Sequence, residues 1–332
     1  MNAPLPPQAL LDFRQVSKRF TRKHDVFAKL AARLGIGPQE QTVHAVESVS
    51  FSVAPGEVVG LVGESGCGKS TLGRVACGLH SASEGQVLYR GSPLSTAPGQ
   101  RRPVQMVFQD PYASLNPRLR IVDSVGEAAV VHGLVSAREA DDYVAKLLAR
   151  VGLDPSYRRR YPHQFSGGQR ARIGIARALA VQPEFLVCDE AVAALDVSIQ
   201  AQVLNLFMDL REELGLTYLF ISHDLGVVRH LADRVVVMYL GRVVEIATTS
   251  ELFASPQHPY SRALLGEVPS LSRGKRAYTP IRGEIPSPLN PPSGCHFHPR
   301  CPHATARCAS EAPALRQVAP GRLSACHLNE VH

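Results

Sequence analysis

The sequence predicts an α/β fold built around a sheet that is buried on both faces. Four short apolar runs predict it: Val58–Val62, Val104–Phe108, Phe185–Cys188 and Tyr218–Ile221. None alternates strictly between polar and apolar residues, which is the pattern of buried, parallel strands rather than of strands with one wet face. Three of them run straight into chemically distinctive residues, Gly63, Asp189 and His223. The carboxyl ends of parallel strands are where such sheets bind ligands.

The 332 residues suit one large domain, or one domain with a smaller appendage. An apolar content of 45% supports a sizeable core, and with no Trp and few aromatics its packing is mainly aliphatic. No apolar run reaches the roughly eighteen residues of a membrane-spanning helix. The start, MNAPLPPQALLDFRQ, lacks a basic segment followed by an apolar one, so no secretion signal is expected. A protein in the cytosol, or on the cytosolic face of a membrane, is therefore expected. The net charge of +7 lies at the ends: residues 1–40 carry seven basic and three acidic side chains, residues 271–332 eight and three. Basic ends suit anionic partners. No stretch, however, has the dense Lys/Arg clustering of a nucleic-acid reader, and solvated surface charge is the expectation.

The first chemical element follows the first run. Gly63-Glu64-Ser65-Gly66-Cys67-Gly68-Lys69-Ser70-Thr71 fits G-x-x-x-x-G-K-[ST], with a strand before it and a helix after it. Such a loop turns consecutive backbone N–H groups onto phosphate oxygens at a helix N-terminus. Lys69 is placed to reach the β- and γ-phosphates of a nucleotide, and the Ser70 hydroxyl to ligate Mg²⁺. The second element is the acidic pair Asp189-Glu190 at the end of its strand. Asp189 suits Mg²⁺, through water, and Glu190 suits polarising a water for attack on the γ-phosphate. Between the two lies Ser166-Gly167-Gly168-Gln169, where Ser and two glycines open a helix whose apolar positions are Ile173, Ala176 and Leu179.

With these residues the chain resembles the ATP-binding cassette (ABC) family over residues 10–270. Gln164-Phe165-Ser166-Gly167-Gly168-Gln169 is similar to its signature motif, with Phe165 where Leu is common. The resemblance implies that Ser166, Gly167, Gly168 and Gln169 serve the ATP of an opposite subunit, so that two cassettes sandwich two nucleotides. It further implies that Gln109 senses the γ-phosphate and Mg²⁺ and couples to a membrane subunit. In the same way Ala194-Leu195-Asp196 crosses the dimer interface, His223 bonds the γ-phosphate, and Phe20 stacks on adenine. The implied fold is a P-loop NTPase cassette: a mixed sheet core, an antiparallel β region near 10–60 and 85–91, and a helical insert near 112–170. Two periodic stretches, Ile121–Gly126 and Tyr143–Leu148, fit helices in that insert. Between Phe20 and Val43 the chain is longer than a simple cassette needs, and Phe27, Leu30, Ala31 and Leu34 fall on one helical face. That face is expected to pack on its own domain.

Phe108-Gln109-Asp110-Pro111-Tyr112-Ala113-Ser114-Leu115-Asn116-Pro117-Arg118 resembles the ATPase subunits of oligopeptide and dipeptide importers, and of related nickel and opine systems. Gly283-Glu284-Ile285-Pro286-Ser287-Pro288 and His298-Pro299-Arg300-Cys301-Pro302 do so as well. The resemblance implies a second, homologous ATPase subunit, two transmembrane permease subunits and an extracytoplasmic substrate-binding protein, with peptide, nickel, opine or glutathione as cargo. It places the chain on the cytoplasmic face of the membrane. The competing class, a soluble ABC ATPase acting on nucleic acid or ribosomes, usually carries two cassettes in one chain, and here there is one.

Residues 271–332 are expected to form a small Cys-rich extension. Its Pro-rich stretch 279–292 reads as a stiff linker. Cys295, Cys301, Cys308 and Cys326 follow, in a segment expected to be too short for a core of its own and stapled by a metal. The spacing lacks the C-x₂-C pairs of zinc ribbons and differs from ferredoxin spacings. Three readings stand: a [4Fe–4S] cluster on the four cysteines, which the importer resemblance implies; zinc, with His296, His298, His303 or His327 as substitute ligands; or reduced thiols.

Overall fold

The computed structural model describes residues 9–21, 41–94, 103–110, 112–266, 281 and 283–329. The helix expected around Phe27–Leu34 and the boundary expected near 270 lie outside these residues. A four-stranded antiparallel sheet is formed by β1 (Leu11–Thr21), β2 (Thr42–Val53), β4 (Glu84–Tyr89) and β5 (Ser92–Pro93), in the order β2-β1-β4-β5. Its inner face, with Phe13 stacked on Phe51, packs over the core sheet.

The core sheet has the order β11-β12-β10-β9-β3-β8-β7-β6. Its parallel part is β9 (Arg234–Tyr239), β3 (Val58–Val62), β8 (Thr217–Ile221), β7 (Phe185–Asp189) and β6 (Val104–Val107). Every residue of β3, β7 and β8 is buried, as their unbroken apolar runs require. The antiparallel region is thus shorter than expected: β3 belongs to the core sheet, because its glycine-ended apolar run needs cover on both faces. Helix α1 (Lys69–Ala76) follows β3, and α5 (Val197–Leu214) and α6 (Leu225–Leu231) flank the same sheet.

The insert carries α2 (Ile121–Val131), α3 (Ala140–Arg150) and α4 (Gly167–Leu179). Both periodic stretches are helical. Ile121 and Val125 of α2 share a buried cluster with Val144, Leu147 and Leu148 of α3. Ile173, Ala176 and Leu179 all point from α4 into the core.

The C-terminal segment departs from the expectation. Strand β10 (Arg242–Thr248) turns back from β9, and β12 (Arg322–Ser324) pairs antiparallel with it. Strand β11 (Arg316–Ala319) then closes the sheet's edge. Phe297, 2% exposed, sits against Tyr239 and Tyr260 with ring centroids 5.2 and 5.4 Å away. The segment is not coreless: one aromatic and one strand borrow the core of the cassette. The expected linker, in its described part 283–292, has neither helix nor strand.

Candidate functional site

Strand β3 delivers the chain to the loop Gly63–Gly68 at its carboxyl end. Gly68 sits at φ +105°, and a Cβ there would lie 2.1 Å from the carbonyl oxygen of Ala45, so only glycine lets the loop close on β2. Lys69 is buried and folds back over the loop. Its Nζ donates to the carbonyls of Gly63 (2.7 Å) and Glu64 (3.0 Å). Burial pushes the neighbouring Cys67 thiol up, although Lys69 opposes the shift, so Cys67 packs as a neutral side chain.

Ser70 Oγ donates to Asp189 Oδ1 at 2.7 Å, joining the first turn of α1 to the end of β7. Asp189 is 3% exposed, and burial raises its pKa despite the Ser70 bond. A hydroxyl and a desolvated carboxylate side by side make a hard-oxygen donor pair of the kind Mg²⁺ takes, and a cation there reverses the penalty of burying the charge. Glu190 follows with φ +47°, a left-handed conformation uncommon for a non-glycine residue, fixed by its N–H donating to Ile221 O at 3.0 Å. Its two carboxylate oxygens face different partners. Gln109 Nε2 donates to Oε2 at 2.6 Å, and His223 Nδ1 lies 3.4 Å from Oε1. Gln109, Glu190 and His223 thus arrive from the ends of β6, β7 and β8.

A cavity of about 350 Å³ is lined by Phe20, Ser65, Gly66, Gly68, Lys69, Ser70, Thr71, Gln109 and Glu190, while Asp189 and His223 stand behind Ser70 and Glu190 and do not line it. Phe20 marks one end, half exposed and edge-on to His80 at 5.5 Å. Pro288 of the C-terminal segment also lines it, held by His44 N–H donating to Pro288 O at 3.0 Å.

The signature residues Ser166, Gly167, Gly168 and Gln169 are not among those lining this cavity. They open α4 with a capping box: Gln169 N–H donates to Ser166 Oγ at 3.3 Å, and Ser166 N–H to Gln169 Oε1 at 3.0 Å. A Cβ on Gly168 would meet Ile199 Cγ2 at 2.4 Å, so this glycine seats α4 against the start of α5, just beyond Leu195 and Asp196. Arg170 in the same turn lies under the Tyr112 ring, 3.5 Å from its centroid, and donates to Phe165 O.

A second cavity, of about 340 Å³, is lined by Cys295, Cys301, Cys308 and Cys326 together with His298, His303 and His327. Burial pushes the thiols of Cys295, Cys301 and Cys326 up, the last to about 11. Among the described residues no group of three or more His, Cys, Asp or Glu side chains is arranged to hold a single metal ion. His296, counted among possible zinc ligands, faces away: its Nδ1 lies 3.0 Å from Leu240 O and its Nε2 3.7 Å from Glu47.

Sequence reading missed how the two cavities are joined. Arg300, between Phe297 and Cys301, forms a bidentate pair with Glu64 of the phosphate loop, and Glu64 N–H donates to Tyr260 Oη at 2.8 Å. Arg300 stands in the quoted stretch His298–Pro302, but nothing local to it signals a partner 236 positions away.

Comparison with known proteins accords with this arrangement. Residues 46–193 match the ABC transporter family and residues 244–308 the oligopeptide/dipeptide transporter C-terminal region. The chain is 50% identical to the oligopeptide transport ATP-binding protein AppF of Bacillus subtilis, covering 97% of this chain and 98% of that protein. It is 49% identical to the dipeptide transport ATP-binding protein DppF of Haemophilus influenzae, covering 88% and 91%. Among solved structures, cbiO1 of Clostridium perfringens, part of the ABC transporter complex cbiONQ, superposes with a TM-score of 0.60 at 26% identity, covering 75% and 92%. The ATP-binding cassette MJ0796, in a post-hydrolysis state with ADP and Pi, does so with the same score and identity, covering 72% and 98%. A nucleotide-sized cavity floored by the phosphate loop, on a chain alike over nearly its whole length to such proteins, identifies an ATPase of the ABC transporter family, and the chain belongs to that family's oligopeptide/dipeptide branch.

Proposed function

We propose that this chain is the ATP-hydrolysing subunit of an importer of oligopeptides or dipeptides, seated on the cytoplasmic side of the membrane. One observation carries the hydrolytic part: the phosphate loop, Gln109 and Glu190 meet at a single cavity, with His223 behind Glu190. In this reading the loop N–H groups and Lys69 bind the phosphates of ATP, and Phe20 takes the adenine. Ser70 and Asp189, with Gln109, would hold Mg²⁺, which would supply charge to neutralise the phosphates. Glu190 orients and deprotonates the attacking water, and the γ-phosphate leaves ADP as inorganic phosphate. Gln109 holds one Glu190 oxygen and His223 stands 3.4 Å from the other, an arrangement that suits aiming the base before substrate arrives.

That the signature residues do not line this cavity supports a second cassette that brings its own Ser-Gly-Gly-Gln onto the nucleotide. A groove beside Gln109, lined by Leu79, Gln105, Phe108 and Val131 among others, is the surface assigned to a permease subunit. Val131 is 72% exposed there, an apolar side chain suited to cover by a partner. Among the described residues no helix is long and apolar enough to cross a membrane.

The Cys-lined cavity is assigned to a [4Fe–4S] cluster. What supports this reading is that the four thiols line one space. Cys295, Cys301, Cys308 and Cys326 would hold it, and its bonds would replace the buried S–H groups by thiolates.

Two measurements test these assignments. Uptake of a labelled peptide library by vesicles carrying the complete transporter should require ATP and cease with Lys69→Ala; uptake that survives this change refutes the ATPase role. The chain purified without oxygen should contain iron and sulfide in equal amounts, lost with Cys301→Ser. Zinc alone would refute the cluster.

A further inference from the structure

Glu64 brings a carboxylate into the phosphate loop. It precedes Ser65, which lines the nucleotide cavity, and a negative charge in the loop opposes the binding of a triphosphate. The structure answers that charge with Arg300. Its Nη1 donates to Glu64 Oε2 at 2.7 Å and its Nη2 to Oε1 at 3.0 Å, a two-point grip that fixes direction as well as distance. The side chains are only 6% and 20% exposed, so this pair differs from the screened surface pairs that contribute little. Tyr239 Oη lies 3.3 Å from Nη1, and the Arg300 backbone N–H donates to Phe297 O. Arg300 is thereby locked to the aromatic cluster Tyr239–Tyr260–Phe297, and Tyr260 holds the Glu64 backbone from the other side.

We propose that Arg300 is a positioning residue of the phosphate loop: reaching in from the C-terminal segment, it neutralises Glu64, so that this segment sets how tightly the cassette holds Mg·ATP. The proposal rests on the loop being the ATP site. It gives the conformation of the Cys-lined cavity a route to the nucleotide, since the turn His298–Arg300 is bracketed by Cys295 and Cys301. Removing Arg300 leaves a largely buried carboxylate uncompensated in the phosphate loop; removing the Glu64 charge as well should relieve most of that.

The test is equilibrium binding of Mg·ATP to the full chain by calorimetry, with thermal unfolding as a control. Arg300→Met should weaken binding roughly tenfold to a hundredfold, the usual range for coupling between distinct parts of a site. The double variant Arg300→Met/Glu64→Gln should return to within about threefold of the parent. Parent-like binding by Arg300→Met, or a double variant as weak as the single one, overturns the proposal. If Arg300→Met does not fold, Glu64→Gln alone decides: binding tighter than the parent is expected, because Arg300 is left uncompensated near the triphosphate, and equal or weaker binding overturns the electrostatic argument. Lys69→Ala is the separate check, because parent-like binding there removes the ATP-site reading itself whatever Arg300 does.

Discussion

Gly68→Ala isolates the geometry on which the phosphate loop depends. The residue sits at φ +105°, where a side chain costs about 1–3 kcal/mol in backbone strain. The new methyl would lie 2.1 Å from Ala45 O and 3.3 Å from Ala45 C, both backbone atoms of β2. A carbon–oxygen contact of about 3.3 Å is the close limit, so loop and strand must part by roughly 1 Å. Forcing such a shift on packed surroundings costs about 1–3 kcal/mol more. The sum, about 2–6 kcal/mol, corresponds to a fall in Tm of roughly 4–20 °C for a domain of this size. If the loop yields instead of the strand, Lys69 moves with it, and a misplacement of about 1 Å costs on the order of a hundredfold in turnover. Gly66→Ala is the control. It also has positive φ, +79°, but no protein atom lies within 4 Å of its added methyl, so only the backbone strain bears on its stability. Scanning calorimetry on the three proteins, with phosphate release for Gly68→Ala, gives the answer. Gly68→Ala with unchanged Tm and turnover, or Gly66→Ala with the lower Tm, would refute the steric argument.

Three further outcomes are expected. Glu190→Gln keeps the shape and the Gln109 contact, so ATP affinity should hold while single-turnover phosphate release falls about 10²–10⁴-fold; undiminished release removes Glu190 as the base. Phe297→Ala should cost about 3–5 kcal/mol and lower the main unfolding transition, because the ring is buried in the shared core; a separate early transition with the main one unmoved would show the extension to be independent. Glu47 is held below the usual carboxylate range by its hydrogen bond from Arg242, against the opposing effect of burial. A depressed carboxylate contributes stability above its unfolded pKa of about 4.5 and loses it as pH falls through the folded value. The Tm gap between the parent and Glu47→Gln should therefore be widest near pH 6 and narrow below pH 4; a gap constant with pH would refute the linkage.

The nucleotide site was legible because its chemistry is written in contiguous residues. The loop from Gly63 to Thr71, the Asp189-Glu190 pair and the Ser166 cap each carry their meaning in local spacing, and buried parallel strands announce themselves by unbroken apolar runs. Gln109 and His223 were readable as strand-end residues in the right order. That both would converge on opposite oxygens of Glu190 followed only from the sheet order β8-β7-β6, which no local pattern encodes. The same holds for the glycines: the P-loop motif demands Gly68, but its reason, the approach of Ala45 from β2, is a contact between distant segments.

The C-terminal segment marks the limit most clearly. The sequence by itself determined four thiols, a proline-rich approach and the nucleotide chemistry upstream. It did not determine that Phe297 would enter the cassette core, that β12 would extend the core sheet from β10, that His296 would turn from the cysteines, or that Arg300 would grip Glu64. Local propensity and motif spacing act over a few residues, whereas burial and ion pairing depend on which surfaces meet once the chain has folded. The sequence determined what kind of machine this is; the packing of β9 and β10 against the returning chain decided which residues work together.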